Sequence, residues 1–232
     1  EEDVNEDISE EILEEESVIE NYDTLDAING TWSNLKWSLA DTTLTIYGTG
    51  DMVSVTKTNY PWYAYASQIK KVVIGESVTT IGYDAFKDMT ALAEVKIGGS
   101  VKEIKNEAFS GCTALTAVTI PASVTEIDYN AFSNCTSLAS VTFAGGSKLT
   151  NLGPYVFYNC KSLQAIALPA NLVIIEDYCF YNCITMASIT LGSKVTTIGK
   201  YAFGYCEALT AVDLPSSIRT IDDFAFTRCK KL

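Results

Sequence analysis

Apolar residues recur along this chain on two rhythms, a short one of two residues and a long one of twenty-three. At the longer shift the chain aligns Phe86, Phe109, Phe132, Phe157, Phe180, Phe203 and Phe226, with a two-residue insertion around Gly145 and Gly146. Five places before the phenylalanine run Ile81, Ile104, Ile127, Leu152, Ile175, Ile198 and Ile221, and six places after it run Leu92, Leu115, Leu138, Leu163, Met186, Leu209 and Leu232. A further pair of columns, Val95/Ile97, Val118/Ile120, Val141/Phe143, Ile166/Leu168, Ile189/Leu191 and Val212/Leu214, alternates with polar or small residues. Alternation of period two is the pattern of a half-buried strand. Pro121, Pro169 and Pro215, or Gly98, Gly145 and Gly192, stop these strands, since proline lacks the ladder donor and glycine favours the turn. A second short extended piece such as Val124 to Ile127 and a helical turn around Ala131 and Phe132 are expected to complete each repeat.

A fixed period of about 20 to 29 residues carrying L-x-x-V-x-I marks a solenoid of stacked leucine-rich repeats, in which no repeat buries its apolar face alone. The expected fold class is α/β: a right-handed leucine-rich repeat solenoid of about seven 23-residue repeats over residues 78–232, preceded by a β-rich N-terminal cap over 25–77. Strands stacked at about 4.8 Å would make a slab roughly 34 Å long. The cap holds Trp32, Trp37 and Trp62. "LTIYGTGDM" reads as a strand entering a turn, "YPWYAYASQI" as a short helix after Pro61, and "KKVVI" as a strand in register with the solenoid. An open solenoid end exposes strand edges and core side chains, which is what such a cap covers.

The repeat string "VTEIDYNAFSNCTSLASVTF", with its order V-x-x-I-x-x-x-A-F-x-x-C-x-x-L-x-x-V-x-I, resembles the BspA-like leucine-rich repeat family over residues 78–232. The segments "GTWSNLKWSLADTTLTIYGTGDM" and "YPWYAYASQIKKVVI" are similar to the N-terminal module that often precedes those repeats. The resemblance implies a secreted or surface-displayed bacterial protein that binds host, matrix or other cell-surface macromolecules without catalysis.

The formal charge of −13 is a property of one end of the chain. Residues 1–26 hold thirteen acids and no base, leaving sixteen acids against sixteen bases in the other 206 residues. No basic stripe is present to displace counterions from phosphates, which argues against a nucleic-acid partner. No apolar run approaches the roughly 18 residues of a membrane span. The acidic segment 1–24 is expected to be a tail or an amphipathic helix, as Val4, Ile8 and Ile12 recur every four residues. A partial calcium-loop spacing at Asp3, Asn5, Asp7, Ser9, Glu11 and Glu14 has Ile8 where the sharp turn needs glycine, and no metal is expected there. The chain opens on Glu1 without an initiator methionine, which suggests a processed or a trimmed form whose targeting signal is absent, and it stops at Leu232 where a seventh strand would begin. The expectation at that end is either continuation of the coil or end-to-end stacking on another molecule.

Histidine is absent, which removes Ser-His and Cys-His nucleophile pairs and most metal sites. Six of the seven cysteines, Cys112, Cys135, Cys160, Cys183, Cys206 and Cys229, share the column three places after the phenylalanine, and Met89 fills it in the first repeat. Methionine can fill an apolar slot but can be neither thiolate nor disulfide partner, so the column reads as packing. Cys179 stands in a column otherwise held by alanine and valine. Neighbours roughly 5 Å apart would reach a disulfide, but equivalent side chains in a stack run parallel and do not converge. No catalytic residue and no cofactor are expected.

Two surfaces remain as candidates for binding. The outward residues of the main strand, among them Lys96, Thr119, Thr142, Thr190 and Asp213, form a smooth face suited to a broad protein contact. The second is an aromatic stripe: Tyr155, Tyr178, Tyr201 and Phe224 occupy the column two places before the phenylalanine, flanked by Tyr158, Tyr181 and Tyr205. Asp84, Glu107 and Asn130 hold that column in earlier repeats, so the stripe is not demanded by the fold. It reads either as packing between turns or as a contact surface, with a glycan as the alternative ligand to a protein and a structural spacer as the third reading.

Overall fold

The computed structural model describes residues 27–232, a coil of stacked repeats with strands along two sides and turns along the third. The acidic segment and the calcium-loop pattern lie outside the described residues. The first side begins as an antiparallel meander of Ile28–Trp32, Leu35–Ala40 and Thr43–Gly48. From Thr43–Gly48 onward the pairing is parallel, through Lys71–Ile74 to Glu94–Lys96. A second parallel sheet continues it with Ala117–Ile120, Ser140–Phe143, Ala165–Ala167, Ser188–Thr190 and Ala211–Val212. Short strands make the second side, with Val78–Ile81, Glu103–Ile104, Glu126–Ile127 and Asn151–Leu152 in one sheet and Ile174–Ile175, Thr197–Ile198 and Thr220–Ile221 in another.

The third side contains turns where a helical turn was expected, and the reason lies in two backbone columns. The residues two before and two after each spine phenylalanine sit in the left-handed region, for example Asn130 at φ 57° and Asn134 at φ 58°. Right-handed helix cannot run through such residues. Among the described residues the helical elements are two single 3₁₀ turns, Lys57–Asn59 and Tyr63–Tyr65, both in the cap. The turn side still carries its own ladder, because each phenylalanine N–H from Phe86 to Phe203 donates to a carbonyl of the next repeat: Phe109 to Ala131 at 2.8 Å, Phe132 to Val156 at 3.0 Å, Phe180 to Ala202 at 2.8 Å.

Inside the coil the phenylalanines stack face to face as a continuous spine. Ring centroids are 5.1 Å apart for Phe86–Phe109 and Phe109–Phe132, and 5.4 Å for Phe180–Phe203. Trp62 supplies the rung before Phe86, 6.1 Å from it, and donates its indole N–H to the Ala85 carbonyl at 2.9 Å. Tyr60 stacks on Trp62 at 4.9 Å, Trp37 packs edge-on to Trp62, and half-buried Trp32 tilts against Tyr60, so the three tryptophans cluster together in the cap. The leucine and isoleucine columns seal the spine on either side and are inaccessible to solvent from Ile81 and Leu92 through Ile198 and Leu209.

The insertion at Gly145 and Gly146 loosens the stack on two of its three sides. Ser140–Phe143 pairs with its preceding neighbour at four positions but with Ala165–Ala167 at one, and the short-strand ladder divides between Asn151–Leu152 and Ile174–Ile175. The turn side stays closed there, with Tyr155 N–H on Asp177 and Phe157 N–H on Cys179. The spine spacing is 5.7 Å between Phe132 and Phe157, one rung before, and 5.5 Å between Phe157 and Phe180 across this junction. A shallow groove of about 360 Å³ opens beside it, lined by Phe143, Ser147, Leu168, Pro169 and Asn171 among others.

A solenoid carried by a stacked spine is sensitive at its middle. Phe132→Ala is expected to destabilise the fold by about 3 to 5 kcal/mol, and Phe226→Ala, at the half-buried last rung, by clearly less. Urea denaturation of both variants measures the difference.

Candidate functional site

The stripe read from the sequence is an assembled ladder of rings. Centroids are 4.7 Å apart and planes 7° for Tyr155–Tyr178, 5.0 Å and 19° for Tyr178–Tyr201, and 5.0 Å and 14° for Tyr201–Phe224. A second row stands beside it: Tyr158 stacks on Tyr181 at 5.3 Å and 4°, and Tyr205 tilts against Tyr181 at 5.2 Å. Gly204 occupies the column of Tyr158 and Tyr181. A Cβ there would lie 2.9 Å from the Tyr181 ring, so the glycine makes room for that ring while Tyr205 approaches from the next position. Tyr129 extends the ladder toward the N-terminus, edge-on to Tyr155 at 5.5 Å, and stands 41% exposed. It lies one column away from the stripe, so the repeat alignment by itself does not assign it to the ladder.

These rings stand on strained backbone. Tyr155, Tyr178, Tyr201 and Phe224 have φ of 59°, 57°, 55° and 61°. Asp84, Glu107 and Asn130 adopt the same geometry earlier in the column, so the repeat imposes it. The companion column, two places after the phenylalanine, reads Asp88, Gly111, Asn134, Asn159, Asn182, Tyr205 and Arg228. Glycine and asparagine are the residues that tolerate left-handed φ, and that composition is the sequence signal for it. Asn182 and Asn159 use the position to build an amide ladder, each donating to the side chain of the previous repeat at 2.7 and 2.8 Å. A bulky side chain at left-handed φ costs on the order of 1 to 2 kcal/mol, which a stacked pair worth about 0.5 to 1.5 kcal/mol offsets. The ladder therefore neither adds much to the fold nor weakens it.

The strand-face candidates lie elsewhere. Lys96, Thr119, Thr142, Thr190 and Asp213 are all exposed on the first side, with Ala117, Ser140, Ala165, Ala167, Ser188 and Ala211 between them. Each repeat runs from main strand to short strand to aromatic corner. The short-strand side therefore separates the two candidate surfaces.

The cysteines are free thiols turned inward. Each column member donates its thiol to the carbonyl of the spine phenylalanine in the preceding repeat: Cys112 to Phe86 at 3.1 Å, Cys135 to Phe109 at 3.2 Å, and so on to Cys229 and Phe203 at 3.2 Å. Burial pushes every thiol upward, Cys135 and Cys183 to about 12. A nucleophilic cysteine needs the opposite shift. Acidic residues gather on the short-strand side, where Lys105 is paired with Glu103 and lies 3.9 Å from Asp128. Burial, and then the neighbouring Glu126, push the Asp128 carboxyl up to about 6.

The stacked parallel strands, shared hydrophobic columns and inward spine define a leucine-rich repeat β-solenoid of about seven turns. Residues 58–151 and 150–232 match the family model described as BspA type leucine rich repeat region, present in six copies. The chain belongs to that family. Among solved structures it is similar to the Treponema pallidum leucine-rich repeat protein TpLRR, with 23% identity over 78% of this chain and 91% of that one and a TM-score of 0.60. It is also similar to a leucine-rich repeat protein of Bacteroides ovatus, with 20% identity over 90% and 81% of the two chains and a TM-score of 0.52. No curated protein matches the chain. Among the described residues no helix is long and apolar enough to cross a membrane.

A raised carboxyl pKa means that the folded state holds a proton the unfolded chain has released. The associated stability is complete below the ordinary value of 3.8 and is lost as pH rises through about 6. Asp128→Asn is therefore expected to stabilise the protein at about pH 8 by roughly 1 kcal/mol after solvent screening, and to have little effect near pH 4. Thermal melts at the two pH values check the sign.

Proposed function

We propose that this chain is a non-catalytic extracellular binding module that engages a protein on a host, matrix or cell surface through the main-strand side of its solenoid. The observation that carries the reading is the character of that side. From Thr119 to Thr190 its outward residues are small, exposed and uncharged, with Lys96 and Asp213 at its margins. A flat face of exposed small side chains loses little side-chain entropy on contact and admits close approach over a long surface. Family membership supports the same class of role, since repeat solenoids use extended surfaces for binding.

The aromatic ladder is less suited to a glycan than its composition suggests. Sugars stack on ring faces, and here the faces of Tyr178 and Tyr201 are covered by the rungs on either side. What those rungs offer outward is ring edges and hydroxyls.

The test is a binding screen of the purified chain against immobilised matrix proteins and a glycan array. We expect a matrix protein to be bound, Thr142→Glu to weaken it at least tenfold, and Tyr178→Asn to leave it intact, the last variant folding because asparagine already serves at this backbone position in Asn130. Glycan binding abolished by Tyr178→Asn would favour the carbohydrate reading. Binding to neither class would favour a structural spacer.

A further inference from the structure

Two columns of this solenoid carry a reactive group over successive rungs, and only one of them is built to be cross-linked along its length. The thiols are buried, run parallel and point at backbone carbonyls. The phenols lie nearly flat on one another, half-exposed at the corner of the coil, in three close pairs: Tyr155–Tyr178, Tyr178–Tyr201 and Tyr158–Tyr181 at 4.7, 5.0 and 5.3 Å. The stack is held in place by the fold even though the backbone beneath its first column disfavours bulky residues. Such an outlier retained over successive repeats points to a use for the rings. Among the described residues, Tyr47, Tyr63 and Tyr83 are also half-exposed but stack on no other aromatic ring.

We propose that Tyr155–Tyr178, Tyr178–Tyr201 and Tyr158–Tyr181 are sites of oxidative dityrosine formation, joining successive repeats when the protein meets a one-electron oxidant of the peroxidase class together with hydrogen peroxide. Each phenol of a pair gives up one electron and its hydroxyl proton. The two electrons and two protons reduce one hydrogen peroxide to two waters. The two phenoxyl radicals then couple through ring carbons ortho to oxygen, and the hydrogen on each coupled carbon moves to its own oxygen, leaving two intact phenols joined by a carbon–carbon bond. Near-parallel rings held rung on rung supply the proximity that free tyrosines lack. Phe224 carries no hydroxyl and ends the series. Each bond joins residues 23 positions apart, as Tyr158 and Tyr181 or Tyr178 and Tyr201 are, and constrains the unfolded chain as a disulfide would. Unlike a disulfide, it is not reversed by thiols.

The experiment is treatment of the dilute purified chain with a peroxidase and hydrogen peroxide, followed by peptide mapping by mass spectrometry. The expected products have lost two hydrogen atoms per link, remain monomeric, join the peptides of the three named pairs, and melt at a higher temperature than the untreated chain. Tyr178→Phe, conservative because Phe224 stands in the same column, is expected to remove both first-column links and keep Tyr158–Tyr181. Oxidation of the urea-unfolded chain is expected to scatter the links over the other tyrosines. Links dominated by Tyr47, Tyr63 or Tyr83 in the folded chain, links mainly between molecules, or the same pattern from the unfolded chain would each overturn the proposal.

Discussion

The architecture depends on one backbone atom per repeat, the carbonyl oxygen of the spine phenylalanine. It accepts the N–H three residues ahead in its own turn, as Cys135 N–H meets Phe132 at 3.4 Å, and the thiol of the next repeat, as Cys160 meets Phe132 at 3.2 Å. Both lone pairs of a buried carbonyl are thereby occupied without any water entering the core. The cysteine is the residue that permits this, being small and apolar enough for the interior while still carrying a weak donor. Met89, which cannot donate, stands where the preceding rung is Trp62 of the cap rather than a phenylalanine.

This constraint explains the division of labour around the coil. The phenylalanine N–H bonds across repeats on the turn side, the rings stack inside, and the left-handed columns on either side fold the chain back quickly enough to keep each ring in register. The turn side consequently stays continuous across the insertion at Gly145 and Gly146, where both strand ladders thin out. Variation is tolerated at the corners, where aromatic residues replace asparagine and acids at little net cost to the fold. The half-exposed rings at one corner and the uncharged strand face on another side are two chemically distinct surfaces on one rigid scaffold.

Much of this was legible in the residues. The Phe, Ile and Leu columns locate the core rung by rung, and Met89 among the cysteines argues for packing from the repeat alone. Three features were less visible. A helical turn was expected around Ala131 and Phe132 because the spacing between strands leaves room for one; the left-handed φ of Asn130 and Asn134 excludes it, and the run of Gly111, Asn134, Asn159 and Asn182 was the available sign. The thiol-to-carbonyl bonds could not be read because pattern places a side chain in a column without giving its direction. The mutual stacking of Tyr155, Tyr178 and Tyr201 likewise depends on rotamers, and it is what turns ring faces away from a ligand.

Thiol titration with an aromatic disulfide reagent tests the account most directly. In denaturant seven thiols should react, and in the folded protein the six buried ones should be protected, with half-buried Cys229 alone reacting slowly. Five or fewer thiols in denaturant, or rapid reaction of Cys135 or Cys160 in the folded state, would contradict a spine held by cysteine donors.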